Sequence, residues 1–290
     1  MFKADNWKEY TLIDASDGER LEKWGNYVLI RPDPQIIWSG ERKNPLWGKA
    51  DGIYRRSSSG GGEWIKKNMP DEWKITYENY VFELSPMGFK HTGLFPEQAA
   101  NWDFFVPLIK NSGKKIKLLN LFAYTGGASV AAAKAGAFVC HVDASKGMTA
   151  RAKINAELSH VPSDGIRYIV DDCICFVERE IRRGNKYDAV ILDPPSFGRG
   201  PKGERWIIEE CLDKLILQIS EILCENPLFV ILNSYTTNLS PSTCGYILHK
   251  NLFPRFGGNV NSDELGIPVK ESGICLPCGA ASRWTSSKPI

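Results

Sequence analysis

Downstream of residue 97 the chain alternates between short apolar runs and longer stretches of helical period. The pattern predicts a helix over 97–110, with Trp102, Phe104, Phe105, Leu108 and Ile109 on its apolar side. Strand 116–122, helix 127–136, strand 138–142, helix 146–158, strand 166–170, helix 172–183 and strand 187–192 follow. A helix at 206–224 leads to a strand at 228–233, and another helix is expected near 242–252. The stretches 258–269 and 273–286 have little helical period and can pair as an antiparallel hairpin at the sheet edge. Strand–helix alternation at this spacing predicts an α/β fold, a mostly parallel sheet with helices on both faces.

The first 80 residues read differently. They are rich in tryptophan, proline and glycine. Short runs at 27–30 and 35–38 read as strands punctuated by Pro32 and Pro34, and 76–84 reads as one further strand. Residues 57–62, three serines and three glycines, read as a flexible surface loop. The expected division is a small β-rich domain over 1–84 and an α/β domain over 85–290.

Composition narrows the class. An apolar content of 43% and a charged content of 24% over 290 residues are ordinary for a soluble globular chain. No stretch has the apolar length of a membrane span, and the first ten residues lack a signal-peptide core, so the expected compartment is the cytoplasm. The eight cysteines are irregularly spaced. Cys275 and Cys278 form a C-x-x-C with no second cluster, so no metal site is expected, and Cys173 and Cys175 are expected to pack. The net charge of +2 neither demands nor excludes nucleic acid. Two segments are locally basic: 182–186, and 199–205 with Arg199, Lys202 and Arg205. The second can hold phosphates or be a solvated loop, and its position favours the first.

The candidate chemistry lies at strand ends. Asp193-Pro194-Pro195-Ser196-Phe197 follows the apolar strand 187–192. Two prolines fix two φ angles and remove two donors, and Pro194 drives Asp193 into an extended conformation. The result is a stiff corner with an acidic side chain and free carbonyls, suited to a planar amine or base edge or, equally, to capping a core strand. Upstream, Asn120-Leu-Phe-Ala-Tyr124-Thr-Gly126-Gly127 leads from a strand into a small-residue helix whose N-terminus offers unpaired N–H groups. The next strand ends in Asp143, where a carboxylate can accept both hydroxyls of a ribose. The one after it ends in Asp171-Asp172. Four successive strands thus carry glycine or acidic residues on one edge, where open α/β sheets bind ligands.

The order Asn-Leu-Phe-Ala-Tyr-Thr-Gly-Gly, Val-Asp-Ala-Ser-Lys, Asp-Asp and Asp-Pro-Pro-Ser-Phe resembles the class I S-adenosylmethionine-dependent methyltransferases, and within them the branch of large-subunit ribosomal RNA methyltransferases. The lead-in Phe89-Lys-His-Thr-Gly93-Leu-Phe95-Pro-Glu97-Gln98-Ala-Ala-Asn101-Trp102 and Gly198-Arg199-Gly200 match as well, and the resemblance covers roughly 85 to 285. It implies a Rossmann-like sheet with an antiparallel last strand, S-adenosylmethionine as cofactor and structured RNA as substrate. It also implies that Gly126 and Gly127 lie against the methionine and ribose and that Asp143 holds the ribose hydroxyls. Asp172 would receive the adenine amino group, Phe95 and Gln98 would close the cofactor pocket, and Asp193 and Pro194 would face the acceptor. Tyr124 stacks on the ligand or packs under the loop; Asp171 and Asp172 can equally cap the following helix. His91, His141 and the Arg283-Trp284 pair read as structural.

Relatives that methylate carbon 5 of a pyrimidine carry a cysteine just after the strand equivalent to 228–233. Here the run is Asn233-Ser-Tyr-Thr-Thr237, which favours a nitrogen acceptor. The first 80 residues do not read as the RNA-binding domain of several relatives. Alternatives are a small-molecule or protein methyltransferase, a nicotinamide oxidoreductase, disfavoured because Thr125-Gly-Gly-Ala-Ser-Val130 is not G-x-G-x-x-G, and a non-catalytic RNA-binding protein.

Overall fold

The computed structural model describes residues 1–57 and 61–287. The loop expected over 57–62 lies partly outside the described residues. After β1 (Phe2–Lys3), the strands β2 (Tyr10–Ser16), β3 (Glu19–Trp24), β4 (Tyr27–Pro32), β5 (Gly52–Arg56) and β6 (Gly62–Lys66) form a five-stranded sheet in chain order. The hairpin β7 (Trp73–Tyr77) and β8 (Tyr80–Leu84) completes the β-rich part. Helix α1 (Ala99–Lys110) then precedes β9 (Lys117–Leu121), α2 (Gly127–Lys134), β10 (Phe138–Asp143), α3 (Lys146–Leu158), β11 (Ile166–Val170), α4 (Cys173–Arg183) and β12 (Ala189–Leu192). A short ribbon, β13 (Phe197–Arg199) and β14 (Arg205–Ile207), leads into α5 (Ile208–Ile222), β15 (Phe229–Ser234), α6 (Pro241–Phe256) and the closing strands β16 (Asn259–Pro268) and β17 (Cys275–Thr285).

Packing divides the chain into two compact units. The larger comprises Met1–Phe2, Asn101–Leu265 and Gly279–Ile290, and the smaller Lys3–Ala100 and Gly266–Cys278. The smaller unit is knit by the tip of the closing hairpin, where the Lys270 and Glu271 amides donate to the Leu12 and Ile13 carbonyls. At its centre the fully buried Glu22 accepts Tyr10 Oη and both Arg31 Nε and Nη2, so a buried charge is neutralised and its oxygens are satisfied.

Two expectations for this region are corrected. Residues 35–38 are not a strand. Pro32 and Pro34 flank Asp33, whose side chain and carbonyl accept the Gln35 and Ile36 amides in a turn, and Ile37 is left exposed. The single strand over 76–84 is a hairpin, broken at Glu78, which adopts a left-handed φ of 50°.

The large sheet runs β1-β16-β17-β15-β12-β9-β10-β11. β12, β9, β10, β11 and β15 are parallel, and β17 is antiparallel to β15. This is the mostly parallel Rossmann-like sheet with its antiparallel last strand. Register sorts the side chains into two faces. Leu119, Leu121, Cys140, Val142, Val190, Leu192, Val230, Leu232 and Trp284 share one core with α4, α5 and α6. The alternate set meets the other helices: Asn120 reaches Ser129 on α2, and Phe229 stacks on Phe105 of α1 with centroids 5.8 Å apart.

The candidate active site

The turn after β9 is the most constrained backbone of the larger unit. Phe122, Tyr124 and Gly126 adopt φ of 54°, 50° and 81°. A left-handed non-glycine residue costs roughly 1–2 kcal/mol, and such residues gather where surrounding structure over-determines them. Here the Phe122 amide donates to Cys173 Sγ, the Ala123 amide to the Val142 carbonyl and the Tyr124 amide to Asp143 Oδ2. Asn155 of α3 donates to the Thr125 carbonyl. A Cβ on Gly126 would stand 2.8 Å from Ala152 Cβ, so glycine is required both for φ and for the close approach of α3. Gly127 opens α2, and the first-turn N–H groups of that helix face away from its hydrogen-bond ladder.

Asp143 ends β10, half-buried. Its Oδ1 accepts the Ser145 amide and its Oδ2 the Tyr124 amide, each at 2.8 Å. A carboxylate has about four acceptor positions. Two are thus used to hold the backbone, and two remain for outside donors such as vicinal hydroxyls. Burial pushes its carboxyl above the usual range, with the two amides opposing. Gly126, Gly127, Tyr124 and Asp143 are therefore one connected cluster.

Asp172 and Asp171 separate in role. Asp172 is the N-cap of α4, its Oδ1 accepting the Cys175 amide at 2.9 Å. Asp171 is ion-paired with Arg179 and accepts the Asp172 amide. The capping reading is thus realised by Asp172. His141 is fully buried and shares a hydrogen bond with Ser129 Oγ at 3.0 Å; burial pulls its pKa to about 3, so it is neutral and structural.

Asp193 continues β12, half-buried, with Pro194 buried behind it and Pro195 exposed. Two carbonyls on the far side of the corner are taken. Trp206 Nε1 donates to the Pro195 carbonyl at 2.6 Å, and the Ile208 amide to the Ser196 carbonyl at 3.1 Å. Trp206 also packs on Phe122, with centroids 4.9 Å apart, and so joins the corner to the left-handed turn. Sequence periodicity places Trp206 at a helix start; it belongs instead to the β13–β14 ribbon, where Arg199 and Arg205 face each other. Its indole, in a basic loop two residues before an apolar helical run, was the available signal. The ribbon exposes Arg199, Lys202, Arg205 and the ring of Phe197.

Phe95 and Gln98 belong to the smaller unit. Phe95 caps the short turn Pro96–Gln98 and tilts against His91, centroids 5.2 Å apart, and its carbonyl accepts the Gln98 amide.

A left-handed glycine turn, a helix N-terminus and an anchored acid at successive strand ends fit a nucleoside with a charged tail. The model of the S-adenosylmethionine-dependent methyltransferase family matches residues 45–234, and the chain belongs to that family. It is an enzyme whose cofactor is S-adenosylmethionine. The crystal structure of an S-adenosylmethionine-dependent methyltransferase from Agrobacterium tumefaciens is 34% identical, with a TM-score of 0.92 over 98% of this chain and 92% of that one. The chain is also similar to the ribosomal RNA large subunit methyltransferases K/L of Pseudoalteromonas atlantica, 30% identical over 78% of this chain and 34% of the relative, and Colwellia psychrerythraea, 32% identical over 70% and 30%. The matches span no more than 40% of the length of these and the other leading curated relatives. No helix among the described residues is long and apolar enough to cross a membrane.

Proposed function

We propose that the chain transfers the methyl group of S-adenosylmethionine to a nitrogen of a base in structured RNA, ribosomal RNA by kinship with the relatives named above. The observation that carries this reading is the Asp193-Pro194 corner beside an exposed ribbon bearing Arg199, Lys202, Arg205 and Phe197. An acid at a rigid corner suits an N–H edge, and three cations with an aromatic ring suit phosphates and a stacked base.

When bound, S-adenosylmethionine supplies an activated methyl on a sulfonium, so the protein contributes position and a dry, polar setting. Gly126, Gly127 and the α2 N-terminus hold its methionine and ribose side, with Tyr124 against it. Asp143 takes the ribose hydroxyls on its two remaining acceptor positions, and Asp172 the adenine amino group. Asp193 accepts the hydrogen of the reacting nitrogen and orients its lone pair for in-line attack; Pro194 fixes the height of that carboxylate. The exit of β15, Asn233 to Thr237, has no thiol to add to a pyrimidine ring, which supports a nitrogen acceptor. In this reading residues 85–290 carry the chemistry and 1–84 are an appendage, in the cytoplasm.

The test is transfer of labelled methyl from S-adenosylmethionine to total RNA from a strain lacking the gene, with wild-type RNA as control. Label entering only the deficient RNA, recovered on digestion as an N-methylated nucleoside, is the expected result. Label in neither RNA, with cofactor binding verified by calorimetry, moves the acceptor to a small molecule or protein.

A further inference from the structure

Arg283 is a buried cation in the last strand, 8% exposed. Its guanidinium lies 3.7 Å from the Phe2 ring centroid and 4.5 Å from that of Phe104. Its Nε donates to Asn101 Oδ1 at 2.9 Å, and Asn101 Nδ2 donates to Asn233 Oδ1 at 2.8 Å. Asn101 and Asn233 are each 1% exposed. Arg283 and Asn233 sit on the sheet face that α1 covers, since Ile231 is in register with Arg283 and Asn233 with Ala281, and Asn101 reaches them from α1.

The direction of this chain is forced. A guanidinium can only donate, so Asn101 must turn its oxygen to Arg283 and its nitrogen to Asn233. Asn233 must then meet that nitrogen with its own oxygen. Its amide nitrogen is turned the other way, and no acceptor among the described residues takes its protons. One position beyond the last paired couple of β12 and β15, Leu192 and Leu232, Asp193 leaves the end of β12 and Asn233 continues β15. An acceptor-only carboxylate and an oriented amide donor therefore stand at adjacent strand ends.

We propose that Asn233 donates a hydrogen bond to the acceptor base beside the atom that Asp193 receives, and that Arg283 and Asn101 are positioning residues that fix its amide in the donor orientation. This rests on the reading above that Asp193 faces the acceptor. The pair matches an edge on which an N–H adjoins a lone pair, such as an exocyclic amino group next to a ring nitrogen, and rejects an edge with two donors. Asn233 thus sets which base edge can enter. Burial of a guanidinium is costly unless its donors are met, and Asn101 meets one of them.

Asn233→Asp keeps the shape and replaces the donor with an acceptor. It is expected to lower kcat on the RNA acceptor at least about 100-fold, with cofactor affinity within about twofold. Arg283→Gln, which can present either amide end to Asn101, should lower kcat roughly tenfold or more with KM unchanged. In an Asn233→Ala background the same change should add less than about twofold, because the relay then has nothing to orient. Asn101→Asp keeps an acceptor for Arg283 and removes the donor to Asn233; it should fold and reproduce the loss even if Arg283→Gln does not fold. Full activity in Asn233→Asp, or multiplicative losses in the double variant, overturns the proposal. Wild-type enzyme inactive on RNA tells against the RNA reading alone. The relay is then decided by nitrogen–proton spectra of the side-chain amides, in which the Asn233 signals, assigned by their loss in Asn233→Ala, must shift in Asn101→Asp. Unshifted Asn233 signals overturn it.

Discussion

The backbone amide of Tyr124 donates to Asp143 Oδ2 at 2.8 Å, tying the left-handed turn after β9 to the last residue of β10. One carboxylate thereby holds the shape of this turn, and in the proposed function it also receives the ribose hydroxyls. Asp143→Ala is expected to weaken S-adenosylmethionine binding about 10- to 100-fold, the equivalent of one or two lost hydrogen bonds to a charged group. Calorimetric titration measures this directly. An unchanged Kd would remove Asp143 from the cofactor site.

Asp193 should behave in the opposite way. Asp193→Ala leaves the β9–β10 cluster untouched, so cofactor affinity is expected to stay within about twofold while methyl transfer falls at least roughly 100-fold. Single-turnover transfer beside titration of the cofactor separates the two effects. If both variants impair only cofactor binding, Asp193 does not face the acceptor.

Gly126 is held by two separable constraints, its φ of 81° and the Ala152 Cβ that would stand 2.8 Å from an added methyl. Gly126→Ala is expected to cost about 2–4 kcal/mol in urea unfolding, strain and overpacking together. Adding Ala152→Gly should recover the steric part, less about 1 kcal/mol for glycine within α3. No recovery would mean that the backbone conformation alone sets the requirement.

Stability should fall with pH through His141. Its folded pKa of about 3 lies below the ordinary 6.5. The unfolded chain takes up a proton as pH drops through about 6.5, while the folded chain resists until about 3. This contribution is complete above that upper value and is lost on the way down, by roughly 1.4 kcal/mol at pH 5.5. His91, pulled to about 4 by burial and nearby cations, acts in the same direction. Urea unfolding at pH 7.5 and 5.5 should therefore show a smaller drop for His141→Gln than for the wild type. Equal drops would place His141 in contact with water.

The ribbon binds RNA in a salt-dependent way if it holds phosphates. Replacing Arg199, Lys202 and Arg205 with glutamine should weaken RNA binding and reduce the slope of log K against log salt by as much as about 0.9 for each phosphate no longer neutralised. Filter binding between 50 and 200 mM salt, conditions where such ion pairs change affinity strongly, reads the slope. An unchanged slope would leave the ribbon as a solvated loop.

The sequence by itself determined the strand–helix order from 97 onward, the parallel sheet and the edge on which Asp143, Asp172 and Asp193 stand. Those features are local: a five-residue apolar run buried on two faces and a glycine turn declare themselves within a few residues. Tertiary structure decided the rest. Nothing in the pattern separates Gln35–Trp38 from a strand, because only the turn closed by Asp33 leaves Ile37 in solvent. Asp172 and Asp171 are equivalent in sequence; the cap to Cys175 and the pair with Arg179 distinguish them. Trp206 reads as helix until its indole is seen on the Pro195 carbonyl, 11 residues away. The direction of the Asn233 amide depends on Arg283 and Asn101, which lie 50 and 132 residues from it in the chain and meet it only because β17 returns beside β15 under α1. Hydrophobic period specifies which face of a strand is buried; it carries no information about which polar group waits there.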